Sequence, residues 1–70
     1  MMDDFVVWIS TSPSNRVTVK AHDTWDAARR AVKLVFLACR NDVIEVNVGA
    51  PNSCRVYRKL FRVDAEGNLS

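Results

Sequence analysis

One long helical signal, TWDAARRAVKLVFLACRN at residues 24–41, sits between two pairs of short alternating runs. It constrains the fold more than any other stretch, because every other element needs something to cover its apolar side. Asp23 or Thr24 can cap its start by accepting from an orphan backbone N–H of the first turn. Asp23 and Asp26 complement the positive end of the helix dipole, and Arg40 suits the negative end. Asn41 fits the left-handed residue that closes many helices. At about 100° per residue, Asp26, Arg29, Arg30, Lys33 and Arg40 fall on one arc. Trp25, Ala28, Val32, Val35, Phe36 and Cys39 fall opposite, and Ala27, Ala31, Leu34 and Ala38 widen that apolar arc. The arc exceeds the roughly 100° stripe that a helix needs to cover one sheet. Leu37 sits within the charged arc.

The flanking runs read as strands. In FVVWIS, residues 5–10, Phe5, Val7 and Ile9 share one face, and Val6, Trp8 and Ser10 the other. TSPSN, residues 11–15, is a loop by its Ser, Pro and Asn content. RVTVK, residues 16–20, alternates with Val17 and Val19 inward. After the helix, VIEVNV at 43–48 places Ile44, Val46 and Val48 together, and GAPNS is a turn signal. CRVYRKLFRV at 54–63 alternates imperfectly. A bulge near Arg58-Lys59 would put Val56 and Phe61 on one face. DAEGN, residues 64–68, closes the chain, with Leu69 and Ser70 expected to fray. The expected fold class is α+β, in the order ββαββ. A four-stranded antiparallel sheet carries one helix on one face. The opposite face would show Trp8, Thr18, Lys20, Glu45, Asn47 and Tyr57.

Seventy residues make one small domain, spanning 1–70. A core of that size is marginal and gains from a partner subunit. The N-terminal MMDDFVVWIS is acidic where a signal peptide is basic, and its apolar run is short. No apolar run approaches a membrane span. A cytoplasmic protein without membrane association is expected, with Cys39 and Cys54 as free thiols.

Catalytic constellations are hard to assemble. The single histidine, His22, precedes the helix, and Cys39 lies at the far end of it. One histidine and two distant cysteines do not make a metal site. The two glycines, Gly49 and Gly67, fall at turns, so no phosphate loop exists. No carboxylate is forced into the apolar pocket that would raise its pKa for acid–base work. The chain is expected to be no enzyme, with no cofactor and no metal.

What remains is surface. Leu34, Leu37 and Ala38 on the helix flank, with Trp8 on the sheet face, are the expected protein interface. A second copy of the chain, in a symmetric homodimer, is one expected partner, and a second protein is the other. The expected function is that of a small non-catalytic interaction module that inhibits or modulates a host complex. Phages and mobile elements often carry small proteins of that kind. Nucleic-acid binding is the alternative. Eight of the ten basic residues lie in two elements: Arg29, Arg30, Lys33 and Arg40 in the helical stretch, and Arg55, Arg58, Lys59 and Arg62 around Tyr57. Cations of this kind contact phosphates, and an aromatic among them can stack on a base. The same residues would also suit an acidic protein surface.

Overall fold

The computed structural model describes the backbone of residues 1–70 and every side chain except that of Leu37. The strands are β1 (Asp3–Ile9), β2 (Ser12–Ala21), β3 (Val43–Gly49) and β4 (Val56–Arg62). The helix α1 (Thr24–Leu34) lies between the two hairpins in sequence. The order is ββαββ, and the four antiparallel strands form one sheet in the spatial order β2-β1-β3-β4. The central strands β1 and β3 are the first strand of each hairpin, paired Val7 to Val48 and Ile9 to Val46.

Alternation decides which face is covered. Phe5, Val7 and Ile9 of β1, Val19 and Ala21 of β2, and Ile44, Val46 and Val48 of β3 are all buried, and they share a core with Ala27, Ala28, Ala31 and Val32 of α1. Small residues on the helix let its backbone approach the valine-rich sheet closely. Phe61 completes the core on β4, with its ring centroid 5.6 Å from that of Trp25 in an edge-to-face arrangement. Such geometry suits the ring quadrupoles. Asp23 caps α1, accepting at 2.8 Å from the backbone N–H of Asp26.

Several sequence expectations need correction. The helix ends at Leu34 and does not run to Asn41. The N–H groups of Val35 and Phe36 both donate to the Ala31 carbonyl, and a 3-10 turn follows over Leu37–Cys39. The break leaves Phe36 in the core, as the wheel expects, while Val35 is exposed. It also frees Asn41 and Asp42 to bond the backbone of Val63 at 2.7 and 2.8 Å, extending the β3–β4 ladder. Tertiary contacts therefore outweigh helix periodicity here. Asn41 has φ 67, but it closes the 3-10 turn and not α1.

The first hairpin is tighter than expected. Ile9 pairs with Ser12, so residues 12–15 belong to β2 and Ser10-Thr11 makes the turn. Pro13 is tolerated because β2 is an edge strand. The step from Val7 to Ile9 faces the longer step from Val17 back to Ser12, so β2 bulges. No bulge occurs at Arg58-Lys59. The β3–β4 register runs unbroken from Val43 opposite Arg62 to Gly49 opposite Val56. Val56 and Phe61 therefore lie on opposite faces, and Tyr57, opposite Val48, lies on the helix side. The C-terminus does not fray. Leu69 bridges to Val63, and Ser70 exchanges two 2.9 Å backbone bonds with Arg62.

Candidate interaction surfaces

The face of the sheet away from α1 is uncovered, and its side chains follow from the register. Cross-strand neighbours share a face, so the rows read Val6–Gly49–Val56, Trp8–Asn47–Arg58 and Ser10–Glu45–Leu60, with Val43 beside Arg62. Continuing the regular alternation past Val17, Arg16 stands on this face over Trp8, 3.9 Å from the ring centroid. Trp8 is thus buried, contrary to its expected role as an exposed anchor.

Asn47 is the one buried polar residue among the described side chains, at 1% exposure. Its amide N donates to Ser10 Oγ at 2.8 Å and more weakly to the Trp8 carbonyl at 3.4 Å, while its Oδ1 accepts from Arg58 Nε at 2.5 Å. Ser10 Oγ in turn donates to Glu45 Oε1, and Arg58 Nε stands 3.9 Å from the same carboxylate oxygen. Ser10, Glu45, Asn47 and Arg58 therefore form one connected network that links the β1–β2 turn to β3 and β4. Around it stand exposed aliphatic residues: Leu60 at 64%, Val43 at 62% and Val56 at 44%.

The helical residues divide. Leu34 is 73% exposed, and Val35, expected in the core, is also exposed. Ala38 is exposed in the 3-10 turn. The Leu37 side chain lies outside the described residues. Trp8 is on the far side of the sheet from Leu34 and Ala38, so the four expected interface residues do not form one surface. Arg29, Arg30 and Lys33 lie together on α1, while Arg40 falls beyond the helix end and does not join them. The basic β4 cluster is split by alternation. Arg58 and Arg62 face the open side, whereas Tyr57 and Lys59 face the helix side. Lys59 Nζ sits 5.7 Å from the Trp25 centroid and 5.4 Å from that of Phe61. Arg55 precedes β4 in the exposed turn, its N–H donating to Ser53 Oγ.

The Cys–His candidates are placed as follows. His22 is exposed, and its backbone N–H serves Asp26 at 3.0 Å. Cys39 is half-buried, and burial, with the nearby Asp42 charge adding, pushes its thiol above the usual value. Cys54 is exposed. Among the described residues there is no group of three or more His, Cys, Asp or Glu placed to hold a metal ion. No helix there is long and apolar enough to cross a membrane.

Comparison with protein-family models, curated proteins and solved structures returns no match. The functional reading therefore rests on the surfaces alone. Sequence reasoning placed Arg16 outward and, in a regular β4, Val56 and Leu60 on one face with Arg58 and Arg62, yet took none of Arg16, Val43, Val56 and Leu60 as site residues. The expected bulge near Arg58-Lys59 broke up that face, and the unbroken register restores it.

Proposed function

We propose that the protein is a non-catalytic interaction module that docks an acidic protein partner on the open face of its sheet. One observation carries this reading. The face combines exposed Leu60, Val43 and Val56 with arginines that contact Trp8 and Asn47. Arginine and exposed aliphatic side chains around a fixed centre are the material of interface anchors. Side chains that are already ordered lose less entropy on binding.

Charge selects the partner. Arg16, Lys20, Arg58 and Arg62 stand on this face against Asp4 and Glu45, and Lys20 is paired to Asp4 at 3.1 Å. The excess is positive, which disfavours a second copy of the same face and favours an acidic surface. Nucleic acid meets the charge but not the apolar residues. The face's one aromatic ring, Trp8, is covered by Arg16, so no base-stacking platform is open. Leu60→Glu is expected to abolish partner binding without unfolding the chain. Binding unchanged in that variant, or binding sensitive to nuclease, would count against the reading.

Self-association is a second reading, favoured by Leu34, Val35 and Ala38 standing exposed at the end of α1. A second copy there would relieve a marginal core. Sedimentation equilibrium should show a dimer that Leu34→Glu dissociates. A monomer at high concentration would remove this reading and leave the sheet-face proposal standing.

A further inference from the structure

A groove of about 370 Å³ runs between α1 and the closing segment Gly67–Leu69. That volume falls within the range of small-molecule sites, roughly 300–1,000 Å³. Its far wall is built firmly. Asp64 Oδ1 accepts from the N–H groups of Glu66 and Asn68, both at 2.9 Å, and Gly67 takes φ 85 to complete the turn. The bridge from Leu69 to Val63 fastens that turn to the sheet.

Arg29, Arg30 and Lys33 line the helix side, together with Asp26. The Asp26 carboxylate is already satisfied, accepting from Arg30 Nε and from the His22 N–H, each at 3.0 Å. Arg29 and Lys33 take part in no ion pair among the described residues. They stand four residues apart on one helix face, where like charges repel. A shared anion would convert that repulsion into attraction. Leu69, half-buried, adds an apolar surface to the groove.

We propose that this groove binds a phosphate monoester. Its phosphate would be held between Arg29 and Lys33, and its organic body would lie against Leu69. Guanidinium geometry matches a phosphate bidentately, and the lysine adds a point charge. The site is distinct from the open sheet face and does not depend on it.

The test is titration of the protein with inorganic phosphate and with phenyl phosphate, followed by amide chemical shifts. Both anions are expected to move Gly67, Asn68 and Leu69 and the second half of α1. Phenyl phosphate should bind about fivefold tighter, through its ring against Leu69, and Leu69→Ala should erase that advantage. Arg29→Ala with Lys33→Ala should abolish both titrations, while Arg55→Ala with Arg62→Ala and, separately, Leu60→Glu leave them intact. Shifts spread equally over the other basic segments would overturn the proposal. So would an unaffected Arg29→Ala, Lys33→Ala protein, or no response to either anion.

Discussion

The guanidinium of Arg16 lies 3.9 Å above the centroid of the Trp8 ring, on the face that it shares with Thr18 and Lys20 by strand alternation. An indole on an uncovered sheet face would otherwise meet water. The arginine covers it while keeping its own charge at the surface. A cation–π contact at a partly exposed site contributes about 0.5–1 kcal/mol. Arg16→Ala is therefore expected to destabilise the fold by about that amount. In a Trp25→Phe background it should also shift Trp8 fluorescence to longer wavelength. Unchanged emission would mean that Trp8 is shielded by something else.

Asn47 is the hub of the polar network, touching Ser10, Arg58 and the Trp8 carbonyl. Asn47→Leu removes partners from Ser10 and Arg58 at a position that is 1% exposed. Leaving such groups unsatisfied costs about 1–3 kcal/mol each when they stay buried. Since Arg58 can turn to water, a loss near the lower end is expected in urea unfolding. A variant as stable as the wild type would show that the network does not hold the face together.

Much of this fold was legible, and the errors have identifiable causes. β3 could be read because Ile44, Val46 and Val48 alternate with Glu45 and Asn47, and β1 because Phe5 to Ile9 is an unbroken β-branched and aromatic run; both strands lie at the centre of the sheet. The N-terminal half of α1 was legible through Asp23 and the run of buried alanines. The helix C-terminus was not. Helical periodicity continues through Phe36 and Cys39, whereas the bonds of Asn41 and Asp42 to Val63 connect residues far apart in sequence. The β2 bulge was hidden for the same reason. Pro13 signals a loop locally, and only the edge position of β2 permits it within a strand. Of the candidate surfaces, Leu34 and the Arg29–Lys33 face were readable from the wheel. The covering of Trp8 and the split of β4 needed the register.

Acid should weaken the fold in a defined window. Backbone donation from His22 first, and then Arg30, holds the Asp26 carboxyl below its ordinary value of 3.8. The Asn68 and Glu66 N–H groups do the same for Asp64. A carboxylate with a lowered folded value binds fewer protons folded than unfolded. Its stabilisation is present above the ordinary value and is lost as pH falls through the folded value. Melting temperature should therefore drop below about pH 4. Asp26→Asn with Asp64→Asn should lower stability at neutral pH and flatten the acid limb. An identical acid limb in that variant would assign the acid sensitivity to other groups.

The two thiols should react at different rates. Cys54 is exposed, whereas Cys39 is half-buried with its thiol pushed to higher pH by burial. The thiolate is the reactive form. Iodoacetamide at about pH 8 should label Cys54 well before Cys39, as read by peptide mass spectrometry. Equal rates would mean that the segment carrying Cys39 opens readily.

Docking on the open sheet face can be separated from docking at the end of α1 by using wild-type protein, Leu60→Glu and Leu34→Glu as parallel baits in nuclease-treated lysate of the source cell. Circular dichroism establishes beforehand that all three are folded. If the open face is the docking surface, one acidic protein is retained by wild type and Leu34→Glu and lost from Leu60→Glu. Retention by Leu60→Glu with loss from Leu34→Glu would place the interface at the end of α1 instead.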